Sequence, residues 1–203
     1  MLNLIVPIII GYLIGSIPFG FLAGKLKGVD IRKVGSGNIG ATNIYRNLGI
    51  MPALAVFLLD LLKGTLAVYI ASIMIGNPPI LTKESFLVIS GLAAIIGHSY
   101  SVFLGGKGGK GSATGLGVLL GIAPDLFIIT MIYVIAAIAI TRYVSVTSMT
   151  GVLLLAILMF MFHKPIVYFI VTVIVAILII IKHIPNIKRL LAGKEPKIWG
   201  RRK

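Results

Sequence analysis

Seven apolar runs, separated by short segments rich in glycine or in basic residues, set the pattern of this chain. A hydrocarbon core about 30 Å thick needs about 20 apolar residues per helix. Residues 2–26 and 51–75 each supply such a stretch, and residues 84–96 begin a third that runs a little further. Residues 112–123 are apolar too, but about a dozen residues before Pro124 predict only a short helix. Residues 125–141, 144–162 and 165–181 complete the set. The pattern predicts an all-α, polytopic membrane protein with seven transmembrane helices, the fourth of them short. No convincing internal repeat, low-complexity linker or shift in composition divides it, so residues 1–203 read as one integral membrane domain. Met1-Leu2-Asn3-Leu4 has no basic n-region and no A-x-A site follows, so the first run reads as a retained span rather than a cleaved signal.

Composition excludes the soluble alternative. Hydrophobic residues make up 58% of the chain and charged ones 12%, with a mean hydropathy of +1.09. A soluble domain carries about 25% charged and about 45–50% apolar residues, and this chain could not cover its apolar surface in water. Nineteen Lys and Arg against five Asp and Glu give a net charge of +14. On a polar domain that charge would point to nucleic acid; here the basic residues flank the apolar runs, which is the positive-inside bias of a membrane protein. Residues 25–50 hold five basic residues against Asp30, residues 97–111 hold Lys107 and Lys110, and Arg142 follows the fifth run. From Lys182 onward eight basic residues face Glu195 alone. Seven crossings put all of these on one side, whereas six would set the tail against the rest. That side is expected to be cytoplasmic, with the N-terminus outside and the C-terminus cytoplasmic. The absence of cysteine removes disulfides, zinc–thiolate sites and thiol nucleophiles.

Candidate chemistry lies mostly in the polar segments. Within the second run, Asp60 and Lys63 are three residues apart and share a helical face. Charge inside a span is costly, so the pair reads either as a packing device or as a substrate contact. The segment Gly35-Ser36-Gly37-Asn38-Ile39-Gly40-Ala41-Thr42-Asn43 gathers three glycines, two hydroxyls and two amides. Glycine lets successive backbone N–H groups turn toward one point as an anion nest, and Arg46 adds a planar fork suited to phosphate. Gly35 to Gly40 also fit G-x-G-x-x-G, but a dinucleotide site needs a βαβ unit that two membrane helices cannot supply.

The second polar segment runs from Gly97-His98-Ser99-Tyr100 to Gly105-Gly106-Lys107-Gly108-Gly109-Lys110-Gly111-Ser112. It fails as a P-loop, because Gly111 and not Ser or Thr follows Lys110. What it offers is two lysines on a backbone nearly free of side chains, followed by a helix N-terminus that also favours anions. Arg142-Tyr143-Val144-Ser145 and His183-Ile184-Pro185-Asn186 are less specific: Ser145 could cap a helix, and His183 could be structural. His98 stands between loop architecture and substrate contact, and His163 is given no role. With no Cys, no paired carboxylates and no His cluster on this face, metal hydrolysis and acid-pair chemistry lack their groups. Cations, hydroxyls and amides remain, suited to holding phosphates and an oxyanion on an already activated substrate.

Together these segments resemble the membrane-integral bacterial acyl-phosphate:glycerol-3-phosphate acyltransferases over most of the chain. The likeness is carried by Gly15-Ser16-Ile17-Pro18-Phe19-Gly20, by residues 34–43, by Gly97-His98-Ser99-Tyr100 with Gly106-Lys107-Gly108-Gly109-Lys110-Gly111, and by Arg142-Tyr143-Val144-Ser145. The resemblance implies a seven-helix inner-membrane enzyme with a cytoplasmic active site. It would move a fatty acyl group from acyl phosphate to the 1-hydroxyl of glycerol 3-phosphate, giving lysophosphatidic acid and inorganic phosphate for phospholipid synthesis. The family lacks the His-x4-Asp motif of other glycerolipid acyltransferases, and here Phe103, Tyr168 and Lys188 stand five residues after the three histidines.

Carried over by position, Ser36, Arg46, Lys107, Ser145, His183 and Asn186 match the family's polar catalytic site. Gly37, Asn38, Gly40, Ala41, Thr42 and Asn43 match its phosphate-holding loop, to which the residues themselves add Lys110. Asp60, Lys63 and His98 are structural candidates. No cofactor, metal, nucleic acid or obligatory protein partner is expected; the partners are the two substrates and the bilayer. The competing reading is a transporter or channel for anions or phosphorylated metabolites, which glycine loops and interrupted helices also serve.

Overall fold

The computed structural model describes residues 2–75 and 81–199. Among these there are ten α-helices and no strand, in two compact units, Met1–Ala123 and Pro124–Lys203.

In the first unit the opening apolar run is two helices, α1 (Leu2–Ser16) and α2 (Phe19–Leu26). Pro18 has no N–H and disfavours helical backbone at Ile17, so the ladder breaks there, although Ile5–Leu26 remains one apolar stretch of 22 residues. A short 3-10 turn at Ile31–Lys33 leads into α3 (Ala41–Leu48), followed by α4 (Ile50–Met74), α5 (Lys83–Ser99) and α6 (Ser112–Ile122). Helix α1 packs on α4 and α5, and α6 packs on the same two. Glycines make these contacts close. A Cβ at Gly15 would collide with the Ala94 backbone, one at Gly97 with that of Tyr12, one at Gly64 with that of Thr114, and one at Gly117 with that of Leu61. Lipid tails are as apolar as leucine, so close contact rather than exclusion of water holds membrane helices together.

Helix α6 has 11 residues, about 16 Å at 1.5 Å per residue and roughly half a hydrocarbon core. Its first turn lies against Gly64, near the middle of the 25-residue α4. The loop from α5 to α6 must therefore reach the depth of mid-α4. Irregular backbone survives at such depth only where protein or water serves its polar groups. Here the Gly106 N–H donates to the Ser101 carbonyl at 2.8 Å and the Gly109 N–H to the His98 carbonyl at 2.9 Å.

The loops gather at one end of this unit. The Tyr12 hydroxyl donates to the Tyr100 carbonyl at 2.9 Å and the Ser101 hydroxyl to the Ser16 carbonyl at 2.6 Å, so α1 and α5 finish together. A small core of Ile31, Ile39, Ile44, Ala53 and Val56, flanked by Phe21 and Leu104, fastens α2, α3 and the start of α4 at that end.

The second unit contains α7 (Pro124–Thr141), α8 (Val144–Met161), α9 (Ile166–Lys182) and α10 (Ile184–Leu191). Its two tight reversals put non-glycine residues in left-handed backbone, Arg142 at φ 63° and His163 at φ 50°. The Tyr133 hydroxyl donates to Thr150 Oγ1 at 2.6 Å across α7 and α8. At the far end the Lys164 ammonium pairs with Asp125 at 2.7 Å. Pro185, in the first turn of α10, is suited to a helix start but not to continuing α9, and the two axes meet at 56°.

Five stretches are long and apolar enough to cross a membrane, and α9 with α10 makes a sixth if counted together. Most predicted runs end within a residue or two of their helices, and the third extends to Ser99. Three features differ from the expectation: the break at Pro18, and α3 and α10 in segments read as loop and tail. Overpacking a tight contact typically costs about 1–3 kcal/mol. Gly117→Leu should therefore lower the thermal unfolding midpoint in detergent, while Gly28→Asn, at an open turn whose φ of +70° asparagine adopts more readily than most residues, should lower it far less.

Candidate active site

The segment before α3 is a turn shaped by two glycines and one asparagine. Gly35 and Gly37 have φ of +59° and +69°, backbone that other residues adopt only with strain. The buried Asn43 side chain ties the turn together. Its Nδ2 donates to the Ile31 and Val34 carbonyls at 3.2 and 3.1 Å, and its Oδ1 accepts the Ser36 N–H at 3.0 Å. The Gly37 N–H donates to the Val34 carbonyl at 3.0 Å, and the Gly40 N–H to Asn38 Oδ1 at 2.8 Å. With the Asn38 N–H on Ser36 Oγ and the Asn43 N–H on the Gly40 carbonyl, five amides of the expected nest are engaged inside the turn and fix its shape. The N–H groups of Ala41 and Thr42, in the first turn of α3, have no preceding helical carbonyl to reach. They lie at the positive end of the helix dipole. Arg46 follows Thr42 by one turn and shares its face. Asn43 therefore contributes to this site by holding the turn, and its side-chain amide is fully occupied in doing so.

The neighbouring acid is removed from the site's chemistry. Asp30 takes two hydrogen bonds of 2.9 Å from the Arg32 guanidinium, which hold its carboxyl down at about 2. The same guanidinium lies 4.5 Å from the Phe21 ring centroid.

In the second loop, glycine serves close approach. A Cβ on Gly108 would collide with the His98 carbonyl, and one on Gly109 with the His98 ring. This packing leaves Lys107 exposed and Lys110 half-buried on either side of the glycine pair. Beneath them Asp60, Lys63 and His98 are buried together, with Lys63 Nζ 2.8 Å and His98 Nδ1 3.5 Å from Asp60 Oδ1. The first unit thus brings Ser36, the 37–43 turn, Arg46, Lys107 and Lys110 to its loop end.

The second unit holds the other three predicted residues, and two of them, Ser145 and Asn186, meet at Glu195. Glu195 Oε1 accepts hydrogen bonds from the Ser145 hydroxyl at 2.8 Å and from Asn186 Nδ2 at 2.6 Å, while Oε2 takes one from Arg189 Nε at 2.8 Å. Ser145 does not cap α8; Tyr143 occupies the cap position without a side-chain bond. His183 Nδ1 lies 2.8 Å from the Ile179 carbonyl, which can only accept, so Nδ1 carries the proton in that bond. The tail is folded back on this unit: the Ile198 N–H donates to the Arg142 carbonyl at 2.8 Å, and Lys197 lies over the Tyr143 ring. Sequence reasoning missed Glu195 altogether. Its one signal was a solitary acid in a strongly basic tail.

Burial pushes the Glu195 carboxyl up, but the hydrogen bonds from Asn186, Ser145 and Arg189 outweigh it and leave the group below its ordinary value. A carboxylate lowered on folding contributes stability in full above its ordinary value and loses it as pH falls through the folded one. The thermal midpoint of wild type should therefore exceed that of Glu195→Gln near neutral pH. The gap should close as the solution is acidified below the ordinary 4.5.

Comparison with known proteins follows the same lines. A family model described as glycerol-3-phosphate acyltransferase matches residues 5–193. Similar curated proteins include the glycerol-3-phosphate acyltransferase of Synechococcus sp. (strain CC9902), 43% identical with 98% of this chain and 96% of that one covered. That of Prochlorococcus marinus (strain MIT 9301) is 44% identical, with 96% and 97% covered. Among solved structures the chain is similar to PlsY (YgiH), an integral membrane glycerol 3-phosphate acyltransferase, in its glycerol 3-phosphate form. The TM-score is 0.90 at 39% identity, over 97% of this chain and 96% of that one. The lysophosphatidic acid form of PlsY gives a TM-score of 0.86 at 38% identity, with 96% and 94% covered.

Proposed function

The chain belongs to the glycerol-3-phosphate acyltransferase family, and we propose that it transfers a fatty acyl group from acyl phosphate to the 1-hydroxyl of glycerol 3-phosphate. The products are lysophosphatidic acid and inorganic phosphate. The observation that carries this reading is the gathering, at one end of the first unit, of two glycine-shaped loops, one leading into α3 with Arg46 and the other bearing Lys107 and Lys110. Two phosphorylated substrates need two such cradles. We take the chain as a single acyltransferase domain with seven crossings, α6 being the short one, and α3 and α10 lying at the membrane surface. In this arrangement the N-terminus is outside, and the loops and C-terminus face the cytoplasm from a bacterial inner membrane.

Acyl phosphate is a mixed anhydride, so the phosphate leaves readily once its charge is neutralised. The α3 N-terminus takes one phosphate and Lys107 with Arg46 neutralises the other; either substrate fits either assignment. The glycerol hydroxyl attacks the acyl carbonyl, a tetrahedral oxyanion forms, and the bond to phosphate breaks as the ester is made. The hydroxyl proton passes to a substrate phosphate oxygen. Ser36 orients the glycerol backbone, and proximity supplies a large part of the rate. The acyl chain enters from the bilayer.

Purified protein in detergent, given acyl phosphate and glycerol 3-phosphate, should release phosphate in step with lysophosphatidic acid; no product in an unsealed preparation would sink the reading. Loss of one preorganised donor costs about 2.7–4 kcal/mol in the transition state. Lys107→Ala should accordingly slow acylation by roughly a hundredfold or more while the protein still inserts. His183→Ala should keep the wild-type pH profile, and loss of its acid limb would assign the proton to histidine instead.

A further inference from the structure

Asp60 plays no part in the reaction just described, yet it is a carboxylate 2% exposed in the middle of α4. Apolar residues of similar volume would fill that space without the cost of desolvating ions. What distinguishes the position is where its partners lead.

Lys63, 3% exposed, lies 2.8 Å from Asp60 Oδ1 and also donates to the Ile17 carbonyl at 3.0 Å. That carbonyl is at the break between α1 and α2, and the same ammonium lies 5.6 Å from the Phe19 ring centroid. Pro18 sets the break, and Lys63 anchors the start of α2 there. One residue on, Gly20 is in contact with the Ile39 backbone so close that a Cβ would overlap it, and Ile39 precedes the Gly40 that caps α3. The path from Lys63 ends in the 35–43 turn.

His98, 4% exposed, approaches the same Asp60 oxygen with Nδ1 at 3.5 Å. Its carbonyl accepts the Gly109 N–H at 2.9 Å, and its Nε2 edge fills the space a Cβ on Gly109 would need. Gly109 stands between Lys107 and Lys110. The path from His98 ends in the 105–111 loop.

We propose that Asp60 is a positioning residue that, through Lys63 on one side and His98 on the other, holds the two phosphate-binding loops in register. The proposal rests on the reading of those loops given above. Each arm has its own consequence: loss of Lys63 frees the 35–43 turn alone, loss of His98 frees the 105–111 loop alone, and loss of the Asp60 charge frees both.

The chain contains no cysteine, so single nitroxide labels report without background. Two exposed sites suit them, Lys33→Cys beside the first turn and Phe103→Cys, 59% exposed, beside the second loop. In detergent, Lys63→Met should narrow the spectrum of the label at 33 and leave that at 103 unchanged. His98→Ala should do the reverse, and Asp60→Asn should narrow both. In unlabelled protein, Lys63→Met and His98→Ala should each raise KM by about tenfold for a different one of the two substrates, since small misplacements of a binding group cost that much or more. Both labels responding alike to each single variant, or a silent Asp60→Asn, would overturn the proposal. If Asp60→Asn does not accumulate as a monodisperse protein, Asp60→Asn with Lys63→Met removes both charges together and must still narrow both spectra. The labels report whether or not the protein turns over, so a wild type without acyltransferase activity counts against the functional reading alone.

Discussion

A charge among membrane helices persists only with partners and with irregular backbone nearby that needs serving. The Asp60–Lys63 pair meets both conditions. At its level α1 breaks at Pro18, α5 ends, and α6 begins against Gly64. Each interruption leaves backbone groups without helical partners, and the ion pair supplies one of the missing donors, from Lys63 to the Ile17 carbonyl. Polar side chains and interrupted backbone in the first unit are therefore one arrangement: neither would be tolerable at that depth without the other.

Glycine makes this arrangement compact. Interior contacts of the first unit are backbone against backbone at Gly15, Gly64, Gly97 and Gly117; Gly108 sits on the His98 backbone in the same way, and Gly109 on the His98 ring. A loop with no side chains can lie on the end of a helix and still present the lysines between its glycines. The second unit is built differently. Its polar groups collect around one carboxylate, Glu195.

Much of the fold was legible because hydropathy reports the one thing a bilayer demands, a long apolar surface. The short fourth helix could be read from its length before Pro124, and the structure gives it a depth that length alone could not. Helices α3 and α10 were not legible, because both are eight-residue amphipathic pieces inside polar segments, where no apolar run marks them. The candidate site shows the same division. Glycines, Arg46 and the lysines stand out as a local pattern, whereas the work of Asn43 and Glu195 depends on what they touch. Asn43 looks in sequence like one more donor for an anion, and its bonds to Ile31, Val34 and Ser36 show it holding the turn instead.

The Ser145–Glu195 bond joins residues separated by 50 positions, which bears on how the chain is made. During synthesis the serine enters the bilayer well before its acceptor leaves the ribosome, and α9 has to be threaded in between. Until then the hydroxyl must be served by water at the membrane edge. The second unit's polar cluster therefore matures only after its helices are in place, so an insertion intermediate can possess every span and still lack that cluster.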